Sequence, residues 1–427
     1  MLDIKLFREH PEAIRKSQRD RFKDPGLVDK VIEWDNKWRD IRKAADEMRA
    51  RVNKLSKEIG QLKKKGQDTI ALAEESKRLG TQINQKGMEE EEALKKRDEY
   101  RYKVSNILHE SVPIAKTDEG NVEVAKDGTF PMFAFKPRIH PELVETVGGV
   151  ELKKAQEVVG SRFYYLKNDL TLLNIALIHF GIDFLVSKGY KPMWTPFFIN
   201  YDAIKAAAEL ADFEEQLYEV KGEDPRLFLI ATSEQTLAAL HKNEVIDAEK
   251  LPLKYCGIST CFRREAGAHG KDTSGIFRIH QFEKIEQFVY ANPETSWQLH
   301  EEMIGNSKEI FTRLGIPFRV VNIASGEMND NAAKKYDLEG WFPGSNAYRE
   351  LVSCSNCTDY QARKLNIKYG KRGGETDILH TLNSTAIATE RTICCILENY
   401  QNEDGSVRVP DVLQPYMGGK KVMKPWA

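Results

Sequence analysis

The chain of 427 residues contains no run of about 18 apolar residues, the least that a bilayer-spanning helix needs. Its start, MLDIKLFREHPEAIRK, puts charges where a signal peptide needs an apolar centre, so no secretory leader is expected. Cysteine is sparse: there are six, and Cys394 and Cys395 are adjacent inside an apolar run. Nothing in their spacing resembles a disulfide framework. One-sided charge is lacking too, since 64 Lys and Arg against 65 Asp and Glu leave a net charge of −1. No global field then draws in nucleic acid, and any basic footprint must be local. A cytoplasmic protein of a reducing compartment, with no membrane partner, is the expectation.

What the chain does have begins with periodicity. Leu2 to about Arg19 reads as a short amphipathic helix, closed by Pro25-Gly26. Leu27, Val31, Trp34, Trp38, Ile41, Ala45, Met48, Val52, Leu55, Ile59 and Leu62 then alternate spacings of four and three. That seam predicts a coiled coil, a rod of about 50 Å at 1.5 Å per residue. After the turn signal Gly66-Gln67-Asp68 a second helical stretch runs to about Ile107, with Lys86, Glu90 and Arg97 at core-phase positions. One short turn between two long helices predicts an antiparallel hairpin. Between residues 37 and 65 eleven cations face four acids. That is either an ordinary solvated surface or a handle for a phosphate backbone, and the absence of an aromatic platform favours a helical stem over single strands.

Ser111–Phe130 mixes Pro, Gly, Asp and Thr and reads as a boundary, with a globular body following. Leu170–Val186 predicts an apolar helix, and KPMWTPFFI after it an edge strand interrupted by Pro192 and Pro196. A strand at Leu227–Ile230 leads to Thr232-Ser233-Glu234, which is either a helix N-cap or a pocket whose Glu234 faces an ammonium group. Cys261 to Glu286 predicts an antiparallel hairpin with Arg263, Arg264 and Glu265 at one shoulder and Glu283 and Glu286 on the returning strand. Its tip carries Gly267, His269, Gly270 and Lys271. Fixed guanidinium forks beside fixed carboxylates suit a polyphosphate. Cys354 and Cys357 have zinc-like spacing, but no second pair completes four ligands. Glu350 and Ser353 are better oxygen ligands for Mg²⁺, which takes few carboxylates plus substrate phosphates. A helix starting near Thr385 would put Arg391 on its second turn, paired to a carboxylate or bound to an anion.

Taken in order, these stretches resemble the signature motifs of class II aminoacyl-tRNA synthetases. With the N-terminal hairpin the whole chain is similar to the seryl-tRNA synthetases, in their archaeal or eukaryotic branch. The resemblance rests on the strand ending at Pro196, Thr232-Ser233-Glu234, FRREAG at 262–267 and RIHQFEKIE at 278–286. It continues in RELVSCSNC at 349–357, TLNST at 381–385 and ATERTICCILENYQ at 388–401. It implies an α+β fold, an antiparallel sheet flanked by helices behind an antiparallel coiled-coil hairpin. The implied division is a tRNA-binding arm at 1–110, a linker at 111–130 and a catalytic domain at 131–427, acting as a homodimer.

The implied reaction joins L-serine to ATP, giving seryl-adenylate, then passes the seryl group to tRNA(Ser), with the selenocysteine-accepting tRNA as a further candidate. By resemblance Arg263 holds the α-phosphate, Glu265 meets the adenine side, Phe282 stacks on the base and Arg391 holds the γ-phosphate. Arg264, Ile279, His280 and Gln281 complete the hairpin's share of the ATP site, and Leu351 and Val352 join Glu350 and Ser353 around phosphate and Mg²⁺. Serine falls among Thr232, Ser233, Glu234, Arg263, Glu286, Asn383, Ser384 and Thr385. The chain departs from many bacterial members in carrying Asn-Ser-Thr and Thr-Glu-Arg where they have Gly. That sets Glu390 beside Arg391, turned about 100° away if both are helical. The alternatives are a ligase that loads a carrier protein, which the long arm disfavours, and a non-catalytic RNA-binding descendant, which the retained Arg263, Glu265, Glu350 and Arg391 disfavour.

Overall fold

In the computed structural model, which describes residues 1–207, 214–265, 274–371 and 373–426, the long seam forms one helix. The chain divides into two compact units, Met1–Ile107 and Leu108–Ala427. The first unit holds helices α1 (Ile4–Glu9), α2 (Pro11–Asp20), α3 (Gly26–Lys64) and α4 (Ile70–Arg101). The expected first helix is thus two, because Pro11 has no N–H to continue a ladder and starts α2 instead. Along α3, Val31, Ile41, Ala45 and Leu55 are buried, as the seam requires. At its start Val28 is buried in place of Leu27, where α1 and α2 pack against α3. Gly66 turns the chain at φ 69°, and Asp68 Oδ1 accepts from the Ile70 amide at 2.9 Å to open α4.

The polar interruption of the α4 seam has a partner. Asp35, 2 % exposed, accepts from Arg8 Nε at 2.7 Å and from Arg97 NH1 at 3.2 Å. Arg97 therefore sits in a core position between two acids, Asp35 at 3.2 Å and its neighbour Asp98 at 2.9 Å, so its charge keeps a partner even when Asp35 is removed.

The second unit is built on an eight-stranded sheet. Its strands are β1 (Val122–Asp127), β2 (Lys191–Trp194), β3 (Leu253–Phe262), β4 (Gln281–Ala291), β5 (Phe318–Asn322), β6 (Lys334–Phe342), β7 (Ala347–Asn356) and β8 (His380–Ala388). The spatial order is β1-β5-β6-β7-β8-β4-β3-β2, antiparallel except where β2 joins β3. β2 is an edge strand, as Pro192 predicts, and it ends at Trp194, short of Pro196. The stretch 111–130 differs from a plain linker: Val122 to Asp127 pairs with β5 as the opposite edge. Its alternation escaped notice because both faces are largely exposed.

Helices α5 (Asn168–Ser187), α7 (Ser296–Arg313) and α8 (Thr389–Tyr400) pack on one face of the sheet. Strand periodicity sends Ile285, Val289 and Ala291 into that core and turns Lys284, Glu286 and Phe288 the other way. α5 is long and apolar enough to pass for a membrane span, but Leu170, Leu173, Leu177 and Phe184 are buried against the sheet. On the opposite face, α6 (Ser233–Ala239) approaches β3 so closely that a Cβ on Gly257 would meet Ser233 Oγ at 2.6 Å.

One expected helix boundary is wrong. Residues 380–388 are a strand, the helix begins at Thr389, and Arg391 falls in its first turn. β8 lies between β7 and β4, so all of it beyond His380 is buried. A strand covered on both faces loses its period-2 signal and reads like a buried helix.

Candidate active site

The hairpin of β3 and β4 pairs Phe262 with Gln281 and Cys261 with Phe282, as the sequence predicts, although the returning strand starts at Gln281 rather than Phe277. The tip with Gly267, His269, Gly270 and Lys271 lies outside the described residues. On the sheet face away from α5, α7 and α8 is a cavity of about 260 Å³. Its wall carries Arg263, Glu265, Ile279 and Phe282 from the hairpin, Thr232 and Glu234 from the start of α6, and Glu286 from β4. Glu350, Leu351 and Ser353 of β7, Asn383 and Thr385 of β8 and Arg391 of α8 complete the expected set.

Two β-bulges make this assembly possible. Residues i and i+3 of a regular strand face opposite ways, which would split Glu350 from Ser353. Leu338 pairs with Val352 and the next residue, Glu339, with Glu350, leaving Leu351 as an extra residue. The insertion turns Glu350 to the side of Ser353 and Ser355. In β8 the register passes from Thr385 to Ile387 while β4 advances one residue, so Ala386 is the extra. Asn383 and Thr385 thereby face the cavity while Ile387 faces the helices.

The cations are ordered by neighbours. Arg263 donates from Nε to the Ala231 carbonyl at 3.2 Å, and its guanidinium lies 5.1 Å from the Phe282 ring centre. Arg391 NH1 reaches both Oε2 and the carbonyl of Glu350 at 3.2 Å, over the Phe277 ring at 5.1 Å. Arg278 meets Glu265 at 3.4 Å, and Lys284 meets Glu286 at 2.7 Å.

One end of the cavity is acidic. Gln361 and Asn383 each donate to Glu234 Oε1 at 3.1 Å, and Thr385 donates to Glu286 Oε2 at 3.3 Å. Burial, and then the neighbouring Glu286, push the Glu234 carboxyl up to about 7. At the other end, burial would raise Glu350, but Arg391, Lys335 and Arg263 hold its carboxyl below the usual range. An ionised carboxylate and a hydroxyl on one strand face suit a hard divalent cation. Asp337 Oδ1, buried without a hydrogen-bond partner on the neighbouring strand, adds an oxygen there. Among the described residues no cluster of His, Cys, Asp and Glu is set to hold a metal by itself. Cys354 and Cys357 are buried free thiols.

Six expected site residues do not line the cavity. Ser233 packs against Gly257, and Ser384 lies on the helix side, 3.5 Å from Ser307. Val352 is core on that same side. Arg264 and Gln281 are exposed, while the His280 ring bonds the Arg263 carbonyl at 2.7 Å. In the strands the cause is alternation: each of these neighbours a residue that does face in. The sequence reading missed Phe277, Arg278, Lys284, Asn329, Asn331, Lys335 and Ser355 in the wall. Lys284 was findable, two residues from both Phe282 and Glu286; Asn329, Asn331 and Lys335 carry no local signal.

Glu390 turns from Arg391 as helical geometry predicts. Its Oε1 accepts from the Tyr164 hydroxyl at 2.8 Å and from the Glu283 amide at 3.1 Å. Burial and then Glu283 raise its carboxyl well above the ordinary range.

Comparison with known proteins agrees along the whole chain. Residues 1–108 match the seryl-tRNA synthetase N-terminal domain, and residues 218–400 match the tRNA synthetase class II core domain (G, H, P, S and T). A serine–tRNA ligase of Methanosphaera stadtmanae is 55 % identical, covering 99 % of this chain and 100 % of the relative. The cytoplasmic serine–tRNA ligase of Arabidopsis thaliana is 47 % identical over 98 % of this chain and 95 % of its own. The crystal structure of seryl-tRNA synthetase from Pyrococcus horikoshii complexed with ATP superposes with a TM-score of 0.95 at 43 % identity, covering 100 % of both chains.

Proposed function

The chain belongs to the seryl-tRNA synthetase family of class II ligases, and from that membership and the cavity we propose how it charges tRNA(Ser) with L-serine at the expense of ATP. The observation that carries the reading is that Arg263 and Arg391, 128 residues apart in sequence, line one cavity whose far end is acidic.

In this reading the adenine stacks on Phe282 with Glu265 at its edge. Arg263 takes the α-phosphate and Arg391 the γ-phosphate. Serine lies with its ammonium toward Glu234 and its hydroxyl toward Glu286 and Thr385. A serine carboxylate oxygen attacks the α-phosphorus in line, the bond to the β-phosphate oxygen breaks, and pyrophosphate leaves. The terminal ribose hydroxyl of tRNA then attacks the seryl carbonyl and AMP departs. No protein nucleophile is needed; the gain comes from positioning and from cations fixed where charge develops. Glu350 and Ser353 would hold Mg²⁺, which supplies charge neutralisation on the phosphates. A hydroxyl-binding pocket rejects alanine because its own polar groups would be left unpaired.

The remaining partners follow the same reading. The arm's basic surface serves an extended stem of tRNA. Leu172, Ile175 and Val186 of α5 and Trp194 at the sheet edge are 45, 45, 46 and 72 % exposed, an apolar surface that suits a second copy of the chain; a monomer by sedimentation at micromolar concentration would remove it. Cytoplasmic action accords with the Arabidopsis relative's name. Serine-dependent ATP–pyrophosphate exchange together with tRNA charging tests the whole. Exchange without charging would favour the carrier ligase, and neither would favour a non-catalytic protein.

A further inference from the structure

We propose that Lys335 is a third cation for the polyphosphate of ATP, held in place by Asp337 and acting on the β- and γ-phosphates and on the departing pyrophosphate. The proposal rests on the cavity being the ATP site. β6 is the strand beside β7, so its inward residues lie next to Glu350 and Ser353. Lys335 is opposite Ser355, and Asp337 is opposite Ser353. Period-2 alternation sends Lys334 to the other face, where it lies 4.0 Å from Glu301. Lys335 instead lines the cavity with its side chain 13 % exposed, 3.3 Å from Asp337 Oδ2.

An ammonium group in that position does more than satisfy Asp337. Its Nζ stands on the cavity face of β6, across from Ser355 and one pairing step from the Asp337–Ser353 pair. Arg391, Lys335 and Arg263 thus stand around Glu350 and Asp337, three cations to two acids. A surplus of fixed positive charge at the end opposite the acidic serine pocket calls for an anion larger than a carboxylate, and a polyphosphate meets that demand. Arg391 and Lys335 divide the task by geometry: the guanidinium supplies a planar fork, the ammonium a point charge that follows the pyrophosphate as the bond to the α-phosphorus breaks.

The test compares wild type with Lys335→Met, Lys335→Arg and the double variant Lys335→Met/Asp337→Asn, which removes the pair without leaving a buried acid alone. Exchange kinetics are read for ATP, pyrophosphate and serine separately, and binding of inorganic pyrophosphate with Mg²⁺ is measured by calorimetry. The expected result is a rise of about tenfold or more in KM for ATP and pyrophosphate in both Met variants, and matching weaker pyrophosphate binding. Serine KM should stay within about twofold, and Lys335→Arg should recover most of the loss. A double variant that binds pyrophosphate like wild type overturns the proposal, and so does a parallel loss of serine and ATP affinity with lowered melting temperature. Wild type lacking serine-dependent exchange would instead overturn the functional reading on which it rests.

Discussion

Arg391 shows how much one guanidinium is asked to do. It neutralises Glu350 and lies over Phe277, so its loss would remove the proposed phosphate ligand and leave Glu350 with fewer counter-charges. Arg391→Ala should lower serine-dependent exchange roughly 10²–10³-fold, the usual loss for a preorganised charge, with an unchanged circular dichroism spectrum; normal exchange would refute its role. Glu234 makes a pH-dependent claim. It faces Glu286 and Lys284 from β4, Arg263 from the hairpin, Gln361, and Asn383 from β8. With its carboxyl raised to about 7, it is protonated below that pH and cannot pair with the serine ammonium. KM for serine should therefore fall as pH rises through about 7 and level off above, while KM for ATP does not follow; a serine KM flat across that range would sink the assignment. The sign for stability is opposite. The neutral acid's contribution is complete below the ordinary carboxylate pKa and is lost as pH climbs through about 7.

At the scale of elements, the two bulges decide which side chains meet. Leu351 and Ala386 are ordinary apolar residues, and no propensity marks them as insertions; the register shows it only once β7 pairs with β6 and β8 with β4. That is why the sequence yields Glu350, Ser353, Asn383 and Thr385 as candidates through motif resemblance, yet could not exclude Ser384 or Val352. The α3 seam was legible because one helix face is buried over a long stretch, and the β3–β4 hairpin because glycines and aromatics punctuate it. β8 was not, since burial on both faces erases alternation. Deleting Leu351 removes the extra residue and leaves Glu350 and Ser353 two positions apart, on one face of a regular strand, so part of the exchange activity should survive. Leu351→Val keeps the count and should retain most activity, and a folded deletion variant with no exchange at all would show that alternation alone does not place Glu350.

At the scale of the whole molecule, the arm and the catalytic unit are separable in contact terms. Replacing residues 37–100 by a short linker should spare seryl-adenylate formation and weaken tRNA charging. The charging that the intact chain retains should decline steeply with salt, as phosphate contacts do. Equal charging by the shortened chain would remove the arm from the mechanism. The two units part between Ile107 and Leu108, near the change of composition at residue 111, while the strand within residues 111–130 that forms β1 was not legible.

The order of the sheet has one further consequence. β8 is the last of its eight strands to be synthesised, yet it occupies an interior position between β7 and β4. Until residues 380–388 leave the ribosome, the nascent polypeptide holds two half-sheets whose facing edges are open and whose proposed serine pocket has no Asn383 or Thr385. An unfinished or prematurely terminated chain therefore has no competent centre, and cannot spend nucleotide on an adenylate it would have nowhere to deliver.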